Sequence, residues 1–144
     1  MLVQQILKSK PDVGVISISP DSKVSEAANI LSNKRIGTVV VSSDGDKLEG
    51  ILSERDIVRE LGKRGPDCLG DAVSTMMTAK IVTCNEQDTA DAVLEMMTKG
   101  RFRHLPVMDG TKMVGLISIG DVVKARLAEL AMEKDALEGM IMGH

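Results

Sequence analysis

The chain writes one nine-residue element twice. Gly50-Ile51-Leu52-Ser53-Glu54-Arg55-Asp56-Ile57-Val58 and Gly115-Leu116-Ile117-Ser118-Ile119-Gly120-Asp121-Val122-Val123 place Gly, Ser and Asp at the same offsets, 65 positions apart. Upstream, Ala27 in VSEAANIL matches Ala92 in TADAVLEM. Val39-Val40-Val41 before Asp44-Gly45 matches Leu105-Pro106-Val107 before Asp109-Gly110, with one residue of slippage. Self-similarity at a fixed period restricts the fold to copies of one small unit. A unit of about 60 residues buries too little surface to stand alone. Two units packed together and sharing a core are therefore expected from the 144 residues.

Each copy reads the same way. A short β-rich run, Val15 to Ile18 or Ile81 to Cys84, ends at a turn, Pro20-Asp21 or Asn85-Glu86. Apolar residues at helical spacing follow: Val24, Ala27, Ala28 and Leu31, then Ala92, Val93, Met96 and Met97. They predict helices over Val24 to Asn33 and Thr89 to Lys99. Strands Thr38 to Val41 and His104 to Met108 come next. Turns at Asp44-Gly45-Asp46 and Asp109-Gly110 join them to Leu48 to Leu52 and Met113 to Ile117, which is a hairpin signal. A second helix starts at the serine. The order is β-α-β-β-α, twice, in the α+β class.

The break between copies falls at GKRGP, Gly62 to Pro66, and Asp71 to Met77 reads as a short helix leading into the second copy. The expected blocks are residues 1–65, 66–130 and a C-terminal helical extension, 131–144. Val123, Leu127, Leu130, Leu137 and Ile141 lie close to one helical face that outruns the repeat. That face points to a partner or a dimer contact.

Charge and composition narrow the function. The formal net charge is −3 and the pI about 5.4, which argues against broad attraction to nucleic acid or an anionic membrane. No Trp or Tyr is present and Phe102 is the one aromatic, so stacking platforms for single strands are missing. Cys68 and Cys84 form no CxxC, and His104 and His144 are the two histidines, so no zinc site is expected. No apolar run reaches membrane-spanning length, about 18 residues or more, and the N-terminus has no long apolar targeting core. A cytoplasmic protein is expected. No nucleophile elbow, metal triad or Walker loop occurs, so no enzymatic activity is expected.

The strongest site candidate is Gly-h-h-Ser-x-x-Asp, at Gly50–Asp56 and Gly115–Asp121. A serine at a helix start with an acid three residues on is close to a capping box, and the acid suits the helix dipole. The same geometry suits a ligand. Free N–H groups at a helix start hold anions, and a carboxylate one turn in can accept from two vicinal hydroxyls such as those of ribose. The glycine would let the chain approach a ligand. The second candidate is Lys99-Gly100-Arg101-Phe102-Arg103-His104, whose charges border the apolar Leu105-Pro106-Val107. Arg makes forked contacts with phosphate. The first copy has Gly37 and Thr38 where the second has Arg103 and His104. Arg55 beside Asp56 is a further cation for phosphate or for a neighbouring acid. Met76-Met77 and Met96-Met97 read as core filling.

With GILSERDIV, GLISIGDVV, RFRHLPVMDG, the STMMT entry and the repeated β-α-β-β-α order, the chain resembles the CBS-domain family over residues 10–130. Its two copies together resemble a Bateman module. The resemblance implies two repeats packed through their sheets with pseudo-twofold symmetry, two clefts, and AMP, ADP, ATP, NAD(H) or S-adenosylmethionine as regulatory ligand. By position it implies one cleft of Ser53 and Asp56 with Val82, Thr83, Phe102, Arg103 and His104. The other takes Ser118 and Asp121 with Ile16, Ser17, Gly37 and Thr38. Arg101 aligns with a basic residue that often reaches phosphate. The unequal neighbours imply tighter binding of phosphorylated ligands in the Asp56 cleft. The resemblance also implies a homodimer, and output through a protein partner or the C-terminal helix. A structural module with empty clefts and a nucleotide-processing enzyme are the competing classes.

Overall fold

The computed structural model describes residues 1–10 and 14–142, so residues 11–13 and the last two of the expected extension, His144 among them, lie outside the described residues. In chain order the elements are α1 (Val3–Ser9), β1 (Ser17–Ile18), α2 (Val24–Lys34), β2 (Thr38–Val41), β3 (Gly50–Ser53), α3 (Glu54–Arg64), a 3-10 turn (Pro66–Gly70), α4 (Val73–Met76), β4 (Cys84–Asn85), α5 (Ala90–Gly100), β5 (His104–Asp109), β6 (Lys112–Ser118) and α6 (Ile119–Ile141). They form two compact units. One holds residues 14–82 with the hairpin tip 110–113; the other gathers the N-terminal segment, residues 83–109 and the chain from 114 onward.

In the first unit, α2 turns Val24, Ala27 and Leu31 inward at helical spacing, and all four residues of β2 are buried. A strand covered on both faces reads as a continuous apolar run, as Val39-Val40-Val41 does. β1 pairs parallel with β2, Ser17 opposite Val40, and β2 pairs antiparallel with β3, Thr38 opposite Ser53. At the hairpin turn Asp44 Oδ1 accepts from the N–H groups of Asp46 and Lys47 at 2.9 and 2.8 Å. Gly45 supplies the positive φ of 84° that the turn requires. The core centres on Val24, Val39, Leu52, Ile57 and Val73.

The second unit repeats the plan. Thr89 caps α5 by accepting from Ala92 N–H at 3.1 Å, and β4 pairs parallel with β5, Cys84 opposite Val107. β5 lies between β4 and β6. Its core centres on Val3, Ile6, Val93, Met97, Leu105 and Ile117. The methionine pairs do fill cores, but separate ones: Met76 and Met77 pack on the first, Met96 and Met97 in the second.

The expected β-α-β-β-α order holds in both copies, with differences at the edges. The leading strands shrink to two residues each, Ser17–Ile18 and Cys84–Asn85. The N-terminal residues, which carry no clear helical pattern, form α1. GKRGP ends α3, with Gly65 at φ 76°, yet the chain to residue 82 stays with the first unit. The first compact unit thus extends past Gly65 to residue 82, and α6 spans positions 130 and 131 without a break.

The reason is an exchange of lead-in helices. α4 precedes the second copy in the chain but belongs to the unit of the first. Val73 N–H donates to Ser22 O at 2.8 Å and Val24 N–H to Asp71 O at 2.9 Å. α1 precedes the first copy but belongs to the unit of the second, where Val3 N–H donates to Asp88 O at 2.9 Å. No described helix is long and apolar enough to cross a membrane.

α2 and α5 both end on an arginine in the left-handed region, Arg35 at φ 54° and Arg101 at φ 57°. That conformation costs a non-glycine residue roughly 1 kcal/mol, and glycine is the usual occupant. Arg35 is exposed. Arg35→Gly is expected to raise the unfolding free energy by about 0.5–1 kcal/mol, read as the midpoint of urea denaturation. A lower midpoint would mean that the Arg35 side chain holds a stabilising contact.

Candidate functional site

The sequence brings a serine and an aspartate to the junction where each hairpin enters a helix, and the geometry there is a reciprocal cap. Asp56 N–H donates to Ser53 Oγ at 3.2 Å, while Asp56 Oδ2 accepts from Ser53 N–H at 3.0 Å and from Ser53 Oγ at 3.0 Å. Asp121 N–H donates to Ser118 Oγ at 3.1 Å, and Asp121 Oδ2 accepts from Ser118 N–H at 2.9 Å. Both capping boxes expected from the sequence are formed.

Each carboxylate also meets a cation that the sequence reading missed. Arg59 Nη2 donates to Asp56 Oδ1 at 2.6 Å; Arg55, the expected neighbour, is exposed. The signal for Arg59 was present, since residues three apart share a helix face. Lys10 Nζ donates to Asp121 Oδ2 at 2.8 Å and to Leu116 O at 2.9 Å. That pair spans 111 positions and has no local signal. Burial pushes the Asp121 carboxyl up, but the Lys10 ammonium and the Ser118 donors outweigh it and hold it below the ordinary aspartate value. Asp56 and Asp121 side chains are 13% and 22% exposed, so both reach solvent.

A carboxylate offers about four acceptor sites. At Asp56 three are engaged, two on Oδ2 and one on Oδ1; at Asp121 two are engaged, both on Oδ2. Capping thus leaves acceptor capacity, most of it on Asp121 Oδ1.

Within each unit, the strand end stands beside that unit's own Ser–Asp junction. Gly37 O accepts from Glu54 N–H at 2.8 Å, and Thr38 pairs with Ser53, so the Gly37-Thr38 end sits beside Ser53 and Asp56. Arg103 O accepts from Ile119 N–H at 2.8 Å, so the Arg103-His104 end sits beside Ser118 and Asp121. Ile16 and Ser17 line the β1 edge of the first unit, with Ile16 O accepting from Val40 N–H at 3.1 Å. Val82 and Thr83 are exposed before β4, Arg101 is exposed at the end of α5, and Phe102 packs half-buried on the second core.

The repeated glycine has a packing role. A Cβ on Gly115 would stand 2.9 Å from Leu7 Cδ2, and one on Gly50 would stand 2.9 Å from Met77 Cγ. The space beside each glycine is filled by a side chain of a lead-in segment, where the sequence reading left it for a ligand.

A family model for the CBS domain matches residues 5–63 and 73–128. The CBS-domain containing protein ATU1752 from Agrobacterium tumefaciens has a solved structure similar to this one, at 43% identity and TM-score 0.82, covering 87% of this chain and 92% of that one. The CBS domain pair of protein MJ0100, solved with 5-methylthioadenosine and S-adenosyl-L-methionine, is 27% identical with TM-score 0.77, over 90% of this chain and 98% of that one. CBSX2, solved with AMP, is 25% identical with TM-score 0.73, over 88% and 96%. The chain belongs to the CBS-domain family, with two CBS repeats.

Two predictions follow the geometry of the second junction. Because the folded Asp121 value is depressed, its contribution is present above the unfolded carboxylate range, near pH 4, and is lost as pH falls through the folded value. Lys10→Met is expected to lower the unfolding free energy by roughly 1 kcal/mol at neutral pH, with the deficit closing toward pH 3 in urea titrations. A deficit independent of pH would assign Lys10 a packing role. Gly115→Ala is expected to cost about 1–3 kcal/mol by overpacking. Adding Leu7→Ala should cost less than the two changes summed, and strict additivity in the double-mutant cycle would remove Leu7 as the cause.

Proposed function

We propose that the chain is a regulatory module that senses an adenine nucleotide (AMP, ADP, ATP or NAD(H)) and performs no catalysis. It acts in the cytoplasm, through a homodimer or a protein partner. The observation that carries this reading is the junction built twice: a serine hydroxyl and an aspartate carboxyl group, side by side at a helix start, with acceptor capacity left over after capping. Two vicinal ribose hydroxyls match that arrangement, and the solved relatives with AMP and with S-adenosyl-L-methionine support the ligand class.

Ser53 with Asp56, and Ser118 with Asp121, take the ribose in this reading. Gly37 and Thr38 border the first pair; Arg103 and His104 border the second. Arg103 supplies charge for phosphate, with Arg101 and Arg55 as further cations. Ile16, Ser17, Val82, Thr83 and Phe102 contact the base. The competing reading, a structural module without ligand, draws on the same caps, because a capping box explains a Ser and an Asp at this spacing without any ligand.

Ligand titration separates the two. AMP at 100 times its dissociation constant adds about 2.7 kcal/mol of stability, a shift of several degrees in Tm for a chain of this size. Asp56→Ala and Asp121→Ala should each weaken binding at their own junction roughly 10–100-fold, the value of a hydrogen bond to a charged group. Arg103→Ala should weaken AMP far more than adenosine. Tm unmoved by millimolar AMP, ADP, ATP, NAD(H) and S-adenosylmethionine would sink the sensor reading. Equal AMP affinity across the three variants and the parent would sink the site assignment alone.

A further inference from the structure

Along α6, Val123, Leu127, Leu130, Lys134, Leu137 and Ile141 follow at alternating steps of four and three residues. That is the seam of a two-stranded coiled coil, with Leu127, Lys134 and Ile141 at a and Val123, Leu130 and Leu137 at d. The seam is separate from the face that packs inward. Val122 and Ala125 are buried, whereas the apolar seam residues are exposed, from 41% at Val123 to 83% at Ile141. At about 100° per residue the seam lies roughly a quarter turn or more around the helix from the buried face. A contiguous apolar stripe of this kind marks an interaction surface, where scattered single residues would not.

We infer that the seam closes on the same seam of a second copy, with the two helices antiparallel. This deepens the homodimer of the proposed function and is independent of its ligand. Orientation follows from the charges. In a parallel pair, Lys134 would sit in the seam opposite its own copy, and Glu133 at g would face Glu138 at e of the other chain. Both contacts are repulsive. In the antiparallel register that sets Val123 opposite Ile141 and Leu127 opposite Leu137, Lys134 lies against Leu130. Lys124 then faces Glu138 twice, once on each side of the twofold axis. Glu133 meets its own copy at the centre, with a Lys134 from each chain beside it. Shifting by a heptad in either direction leaves Ile141 or Val123 without a helical partner, because α6 begins at Ile119 and ends at Ile141. A single Lys at a also fixes register and oligomer number in coiled coils.

The test is the mass of the full chain by sedimentation equilibrium at micromolar concentration, without ligand, so that failure of nucleotide binding leaves its outcome standing. The parent is expected to be a dimer, and Leu137→Asp a monomer. The seam is exposed in the single chain, so Leu137→Asp keeps its fold, as checked by circular dichroism. Lys124→Glu and Glu138→Lys should each raise the dimer dissociation constant about tenfold, and the two together should restore it. A monomeric parent, or a dimeric Leu137→Asp, overturns the interface. Tighter dimerisation by Glu138→Lys alone overturns the antiparallel arrangement, since only the parallel one sets Glu138 against Glu133.

Discussion

Asp56 and Asp121 each reach back to the N–H of the serine three residues before them, and the serine hydroxyl takes the N–H of the aspartate in return. Without this exchange, N–H groups at the start of α3 and α6 would lie half-buried with no partner, a loss of about 1–3 kcal/mol for each group. The exchange fixes where the hairpin stops and the helix begins. That point in turn fixes the pairing of Thr38 with Ser53, and the placement of Arg103 O against Ile119 N–H. The strand ends that carry the proposed ligand contacts are therefore set by the caps. The residue that shapes each junction is also the one proposed to meet the ligand, and at Asp121 the cap leaves Oδ1 unused while it occupies Oδ2.

The two junctions are alike in cap and unlike in counter-charge. Asp56 takes Arg59 from its own helix, an exposed pair at three-residue spacing; Asp121 takes Lys10, which follows α1. Lys80, which follows α4 as Lys10 follows α1, is exposed. Sequence symmetry thus breaks down at the cations while the serines and aspartates keep it. The charge at the second junction depends on how a distant segment is docked, and that at the first on helix geometry alone.

Periodicity made most of the fold legible. Val24, Ala27 and Leu31 marked α2, the Val39-Val40-Val41 run marked a buried strand, and the Ser–Asp spacing marked the helix starts to the residue. These are local signals. What escaped was non-local. Nothing near Lys10 points to Asp121, and nothing near Gly115 points to Leu7. The two leading strands were read too long because Val15 and Ile16 have strand propensity, although pairing with β2 begins at Ser17. α1 was missed because seven residues with few charges give a weak helical pattern, and its stability comes from Val3 and Ile6 packing on the second core. The residue sets of the clefts rest on resemblance, because contacts across a sequence repeat leave no local signal; the hydrogen bonds within each unit place Gly37-Thr38 beside Ser53 and Arg103-His104 beside Ser118.

The exchange of α1 and α4 makes the two repeats inseparable as pieces of chain. A cut near Gly70 would leave an N-terminal fragment that carries α1 but lacks α4 and the Met77 that fills the space at its own Gly50. The C-terminal fragment would carry α4 and lack the residue that fills the space at Gly115. Neither fragment holds a complete core, yet each holds the missing part of the other. The repeat that looks in sequence like two modules in series is, in folding terms, a complementing pair, because each core is closed by the lead-in that precedes the other copy.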